Sequence, residues 1–286
     1  MNLLKTSYLS LIATFVRIVS GIVINKAIAI FIGPSGLAFI GQYQNFSQLA
    51  MRFGQGAINN GVTKYTAEYG HDDPRLAPML STALRISLVC SLVTSCVLIA
   101  FSSELAVYCL KSNEYKYVFV IFGFTLTLFV LNNLLLSIVN GFKEIKIFIS
   151  INILQSILGL IFTTVLISLY HLDGALIAMV TNQSIVFFIV LLILRRNKVI
   201  NTSYFRAIFS YVAAKKLSKY SLMAITTAFT IPVSHLIIRN QIGSDLDWEQ
   251  AGYWQAIWYI SSMYLMVISL PLNTYYLPRL SEISTK

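Results

Sequence analysis

Apolar positions in this chain do not alternate with polar ones, nor keep to a single helical stripe. They fill blocks of about 20 residues or more that recur from one end of the sequence to the other. At ~1.5 Å of rise per residue, each block is long enough as a helix to cross a ~30 Å hydrocarbon layer. The pattern predicts spans near residues 9 to 32, 37 to 60, 77 to 101, 116 to 140, 147 to 170, 174 to 194, 217 to 239 and 251 to 277. Backbone polar groups in lipid must be satisfied within the segment, so helices rather than a barrel fit blocks of this length. Turn-forming residues separate the blocks: Gly33-Pro34-Ser35-Gly36, His71-Asp72-Asp73-Pro74, Leu172-Asp173-Gly174 and Gly243-Ser244-Asp245. The first block is too long for a cleaved leader and lacks a small-residue cleavage site, so it is expected to be retained. The fold class predicted is all-α, a polytopic transmembrane bundle of about eight spans.

Composition strengthens that reading. The 286 residues are 57% hydrophobic and 11% charged, with a mean hydropathy of +0.73, which leaves too little polar coat for a water-soluble core of this size. Of the 21 Lys and Arg residues, those in connectors fall mostly on the side of the amino terminus. Lys5, Lys64, Arg75, Lys143, Lys146, the cluster from Arg195 to Lys219, Arg279 and Lys286 lie there; only Lys111, Lys116 and Arg239 lie opposite. The positive-inside bias therefore predicts both termini in the cytoplasm. It also accounts for the net charge of +10 without nucleic acid as a partner, since the basic residues sit in short loops between apolar spans. Cys90, Cys96 and Cys109 have no metal-ligand spacing, and His71, His171 and His235 are scattered, so no metal or cofactor is expected.

Four further cations, Arg17, Lys26, Arg52 and Arg85, fall inside spans, where each costs roughly 2.5 to 3.5 kcal/mol at the bilayer centre. All 11 acidic residues map to loops or span edges, so the charge within the membrane is positive only. Such cations either snorkel to water or await an anion. Lys26 and Arg85 lie near span ends, where snorkelling suffices. Arg17 lies deeper, and Arg52 sits in a segment that is polar throughout. In that second span Gln42, Asn45, Gln48, Arg52, Gln55 and Asn59 follow at steps of three or four and share one helical face. A face of amides around an arginine either lines a polar cavity or hydrogen-bonds to neighbouring helices. Asn132, Asn133, Asn140, Asn152, Gln155, Asn182, Gln183, His235 and Gln255 are read individually as contacts between helices. Arg17 and Lys26, nine positions apart, point to opposite sides of a straight helix; a bend at Gly21 would bring them together.

Several short motifs resemble one family in order along nearly the whole chain. They are Gly33-Pro34-Ser35-Gly36-Leu37, Asn60-Gly61-Val62-Thr63-Lys64-Tyr65, Lys219-Tyr220-Ser221-Leu222-Met223-Ala224, Trp248-Glu249-Gln250-Ala251-Gly252-Tyr253-Trp254-Gln255 and Leu277-Pro278-Arg279-Leu280-Ser281. The set is similar to Wzx-type flippases for O-antigen and enterobacterial common antigen precursors, in the multidrug/oligosaccharidyl-lipid/polysaccharide exporter superfamily. The resemblance implies a multi-pass protein of the bacterial inner membrane that moves an undecaprenyl-diphosphate-linked oligosaccharide from the cytoplasmic to the periplasmic leaflet. It implies two six-helix lobes that alternate access, and a glycan polymerase and chain-length regulator as partners. Residues 1–194 would be the first lobe, 195–216 a basic cytoplasmic linker, and 217–286 the first two helices of a second lobe cut short relative to a twelve-span family pattern. A faint repeat agrees, since Ser10-Leu11-Ile12-Ala13 recurs as Ser221-Leu222-Met223-Ala224 and sets Lys26 against Arg239.

The expected substrate site comprises Arg17, Lys26, Arg52 and Arg239 for the diphosphate, with Gln42, Asn45, Gln48, Gln55 and Asn59 for the sugars. No Gly-Lys-Ser/Thr phosphate loop is present, which argues against an integral ATPase, and no catalytic residue is expected. Three alternatives stay open. A small-molecule exporter of the same superfamily would carry an intramembrane Asp or Glu. A membrane glycan polymerase or glycosyltransferase would need a sizeable extramembrane site with carboxylates or His. An inactive fragment would transport nothing.

Overall fold

In the computed structural model the backbone is described for residues 3–197 and 199–271. Side chains are described for 11–197, 199–219, 221 and 229–265. The described residues contain no strand, as an all-α chain requires. Nine α-helices follow in order: α1 (Leu3–Phe31), α2 (Pro34–Gly54), α3 (Asn59–Tyr69), α4 (Leu76–Ala100), α5 (Ser102–Leu110), α6 (Lys116–Gly141), α7 (Ile145–Arg196), α8 (Tyr211–Asp245) and α9 (Trp248–Pro271). Four helical stretches are long and apolar enough to cross a membrane: Leu11–Phe31, Leu76–Ala100, Asn113–Gly141 and the 52-residue Ile145–Arg196.

That last helix is a hairpin. His171 leaves helical geometry at φ 50, ψ −124, between the two apolar blocks that the sequence separates at Leu172-Asp173-Gly174. Gly174 is where the arms close: a Cβ there would lie 1.9 Å from the Leu166 carbonyl oxygen. Chain reversal thus depends on one residue without a side chain. The Gly33-Pro34 turn is also as expected, with Gly33 at φ 88 and Pro34 opening α2, where its missing N–H costs nothing.

Three boundaries differ from the sequence pattern. The second block does not form one span to residue 60. It ends at Gly54, and Gly56 and Ala57 at φ 61 and 52 turn the chain into the separate, more polar helix α3. Residues 102 to 110, expected as connector, form the short α5. The seventh span does not end at residue 239; α8 continues to Asp245, because Gly243 and Ser244 are held in the helix while Trp248 packs on Gly243. Arg239 therefore lies inside a helix rather than at its outer end. Lys198, Leu222–Ala224 and Leu277–Ser281 fall outside the described side chains.

Two of the apolar clusters flank α2 and α3. Tyr43, Leu98, Phe119, Phe122, Leu126, Val130, Leu176 and Val180 pack together, while Ile58, Val62, Leu76, Leu80, Leu134, Ile138 and Leu217 form a second cluster. α2 stands between two groups of helices. One side presents Tyr43 and Phe46 edge-on to Phe119 of α6. The other side runs antiparallel to α8: Gln42 meets Arg239, Phe53 meets Phe229 at 5.0 Å between ring centres, and Ser221 donates to the Gly56 carbonyl at 2.6 Å. α9 returns along α2, where Phe39 stacks on Trp248 at 4.9 Å.

The basic segment between α7 and α8 is docked rather than loose. Ser81 donates to the Ala207 carbonyl at 2.6 Å, and the Ser210 amide donates to Thr82. Arg85, one of the four cations placed in spans, donates to the Ala207 carbonyl at 3.1 Å, the contact of a side chain reaching for an interface. At the start of α4 Asp73 pairs with Arg75 at 2.6 Å, and the guanidinium holds the Asp73 carboxyl below its usual range.

Two glycines separate local strain from close packing. Gly174→Ala should cost ~3 kcal/mol or more by forcing the hairpin arms apart. Gly70→Ala, at φ 66 and ψ −167 with open space around it, meets no clash and should cost only the ~1–3 kcal/mol of a backbone region that favours glycine. Thermal melts of the purified protein in lipid nanodiscs check this: a clear fall in Tm for Gly174→Ala, and a smaller one for Gly70→Ala.

Candidate functional site

The nine residues expected to form one site separate into distinct surroundings. Gln42, Asn45 and Arg239 come together. Arg239 is fully buried, at 0% exposure. Its guanidinium donates to the Gln42 side-chain oxygen at 3.0 Å and to the Gln255 side-chain oxygen. The Asn45 amide, turned with its oxygen inward, accepts from both terminal nitrogens at 3.1 Å. The Trp254 ring lies 5.5 Å from the guanidinium carbon, and His235 packs edge-on between Trp254 and Trp258.

α2 can supply both amides because Gln42 and Asn45, three positions apart, share a face. α9 supplies the third because Gly41 leaves room: a Cβ there would stand 2.6 Å from the Gln255 side chain. No carboxylate takes part. Each charge-assisted bond contributes ~1.5–3 kcal/mol, and together they offset burial of a full charge that would otherwise cost several kcal/mol. Two groups are left over, since Arg239 Nε and Gln42 Nε2 are buried with no hydrogen-bond partner. For these two α2 amides, contact between helices is the reading that the structure supports, and Gln255 belongs with them.

Gln55 and Asn59 sit at the α2–α3 break. There Asn59 donates to the Gln55 oxygen at 3.0 Å, fastening the turn that interrupts the expected continuous face. Gln48, Arg52 and Lys26 are exposed. Lys26 is on the opposite side of α1 from Arg17, as nine positions on a continuous helix require; Gly21 does not bend α1 to unite them.

Arg17 lies instead with residues of α7. It borders a cavity of 350 Å³ with Ser20 and Gly21 of α1, Asn152, Gln155 and Ser156 of the first α7 arm, and Asn182 and Gln183 of the second. A smaller adjoining cavity of 200 Å³ shares Arg17, Asn152 and Ser156. Arg17 falls at the middle of the 29-residue α1, so the cavity is set deep between helix ends. The sequence reading took each α7 amide singly. The available signal was their spacing: Asn152, Gln155 and Ser156 share one face, and the arm that follows the Gly174 turn brings Asn182 and Gln183 back against it.

An apolar hollow of 430 Å³ lies on another side of α1, lined by Ile22, Leu37, Ala256, Tyr259, Ile260 and Met263 among others. Among the described residues no group of three His, Cys, Asp or Glu is placed to hold a metal ion.

Removing one acceptor should reveal how Arg239 is held. Gln255→Leu should lower stability by ~2 kcal/mol, since the buried guanidinium is left short of an oxygen. Gln48→Leu, at an exposed site, should change it by less than about 0.5 kcal/mol. Equal melting temperatures for the two variants would contradict this assignment.

Residues 3–284 match the family model described as polysaccharide biosynthesis protein. The chain is 30% identical over 290 residues to the lipid III flippase of Escherichia coli (strain K12), covering 100% of this chain and 69% of that protein. The lipid III flippase of Shigella flexneri matches equally. Among solved structures, a MATE transporter in complex with MaD3S aligns with a TM-score of 0.72 at 14% identity, over 95% of this chain and 62% of that one. The MATE multidrug transporter DinF-BH gives 0.71 at 16%, over 95% and 62%. A MOP superfamily transporter from Pyrococcus furiosus gives 0.67 at 16%, over 95% and 61%. The chain thus spans a little over three-fifths of the length of those structures and about two-thirds of the flippases. Apolar helices and transporter relatives make it a multi-pass membrane protein, one that belongs to the polysaccharide biosynthesis protein family and shares its fold with transporters of the MOP superfamily.

Proposed function

We propose that this chain serves a flippase activity, carrying a lipid-linked anionic oligosaccharide from the cytoplasmic to the periplasmic leaflet of the bacterial inner membrane. The observation that carries this reading is Arg17, a cation midway along a membrane helix, opening onto an amide-lined cavity. The fold likeness and the lipid III flippases named above support the substrate class.

The physical task is desolvation. A diphosphate and several sugars cannot enter hydrocarbon unaided, because each ion or unpaired hydroxyl costs several kcal/mol. A guanidinium pairs with phosphate oxygens in a planar fork, and amides exchange hydrogen bonds with hydroxyls. The polyprenyl tail stays in lipid throughout, and the apolar hollow between α1 and α9 is shaped for such a chain. Outward movement of negative charge gains ~2.3 kcal/mol per charge per 100 mV in a negative-inside cell, so no hydrolysis step is required.

In this proposal the chain crosses the membrane eight times with both termini inside. α1 to α7 form the first lobe, and α8 and α9 begin the second. Alternating access then separates α2 from α8 and α9. Arg239 is sealed between them in the present conformation, and only that separation would expose it to an anion. Lys26, exposed near the periplasmic end of α1, would act at the exit from the path, and Arg52, exposed near the inner end of α2, toward its entry.

The exporter reading is weaker because it calls for an intramembrane carboxylate, and the cations placed here lie beside amides. The polymerase reading would need an extramembrane site; the basic segment at residues 195–216 is bound to α4 instead.

Arg17→Ala should reduce transfer of lipid III across reconstituted vesicles at least about ten-fold, the loss of ~1.4 kcal/mol or more from the step that desolvates the anion. Arg17→Lys should retain part of it. Transfer by Arg17→Ala at the parent rate would remove the cation from the mechanism. Extension of the glycan by the purified protein would favour the polymerase.

A further inference from the structure

We infer that the α1–α7 cavity is a sugar-recognition subsite, in which amides from both arms of the α7 hairpin read the hydroxyl groups of the glycan while Arg17 holds its anionic end. This rests on the flippase reading above and gives that site its specificity determinants.

The chemistry of the lining favours a sugar over phosphate alone. One guanidinium is set among four carboxamides, Asn152, Gln155, Asn182 and Gln183, and the hydroxyl of Ser156. A diphosphate takes up positive charge and donors only. A pyranose presents donors and acceptors together, which is what an amide offers in return.

Packing between helices accounts for only part of these amides: Gln183 accepts from Asn133 of α6, and the Asn182 amide lies against Gly159 of the first α7 arm. All four also border a 350 Å³ void, within the ~300–1,000 Å³ range of small-molecule sites. Gln155 Nε2 is buried with no hydrogen-bond partner. Asn152 donates to the Phe148 carbonyl of its own helix at 2.8 Å, which leaves its side-chain oxygen as an acceptor. Ser156 is oriented by its bond to the Asn152 carbonyl at 2.9 Å, so its oxygen can accept. Asn133 of α6 approaches the Gln183 oxygen at 3.5 Å, a contact that steers the amide nitrogen of Gln183 away from α6. The cavity thus offers donors and acceptors from two helical arms whose spacing is fixed by the Gly174 turn.

Binding of two lipids to the purified protein in nanodiscs tests this: lipid III, and undecaprenyl diphosphate carrying no sugar. The parent protein should prefer lipid III by at least about ten-fold. Gln155→Leu with Gln183→Leu should abolish that preference and leave the affinity for undecaprenyl diphosphate unchanged. Unchanged preference in the double variant, or an equal fall for both lipids, would overturn the subsite. Equal affinity of the parent for both lipids would overturn it too while leaving the flippase reading intact; binding of neither would overturn both. A second measurement does not depend on the fold surviving leucine. In a variant with Cys90, Cys96 and Cys109 replaced by serine, Gln183→Cys should be labelled by a water-soluble methanethiosulfonate. Lipid III should protect it and undecaprenyl diphosphate should not. Equal protection by both, or by neither, would count against sugar contact at this cavity.

Discussion

A guanidinium cannot be left bare in a medium of low dielectric, and this chain satisfies that requirement at Arg239 with neutral amide oxygens. The rest of the arrangement follows from that choice. Three oxygens must converge on one group, so α2, α8 and α9 must approach closely. The approach is possible only where Gly41 removes a side chain opposite Gln255. The α2 face that meets α8 and α9 is therefore polar in its first three turns, and the opposite face carries the Tyr43 and Phe46 contacts to the apolar core. α2 is less apolar than its neighbours for this reason, and it is not among the four stretches that qualify as spans by length and hydropathy.

The two cation sites differ in what their amides do. Around Arg239 the amide oxygens are spent on the cation, and the cluster is closed. Around Arg17 they line open space. A lone cation buried among acceptors is a fastening that holds helices in one arrangement; a cation at the edge of an amide-lined void has room for a guest. Both use the same residue types, and composition alone could not distinguish them.

Much of the fold was legible in the sequence. Block lengths gave α4 and α6 almost to the residue, and the turn residues located Gly33-Pro34 and the α7 reversal. What failed was local. The amide face of the second block ran past Gly54 at helical spacing, and nothing in that periodicity signalled that Gly56 and Ala57 would take positive φ and begin a new helix. Gly243-Ser244-Asp245 read as a turn, but the Trp248 indole packing on Gly243 keeps the helix intact. The site was less legible still. Gln42, Asn45 and Arg239 are 197 positions apart at the extremes, and the partners of Arg17 lie on a hairpin whose two arms only the tertiary fold superposes. Helical periodicity reports which residues share a face; it does not report which faces meet.

The amide setting of Arg239 has a consequence for movement. An Asp or Glu beside Arg239 would form a buried ion pair whose separation leaves two unpaired charges, each several kcal/mol out of balance. It would also compete with any anion for the guanidinium. Amide oxygens hold the cation through ~1.5–3 kcal/mol bonds that a phosphate can replace one for one, and an amide released from a cation can still pair with a sugar or with water. Helices joined in this way can part at modest cost, and the cation between them stays available to a negatively charged guest. Arginine set among amides is therefore suited to an arrangement that must open and close, and that is the setting of Arg239 between α2 and α9 and of Arg17 beside α7.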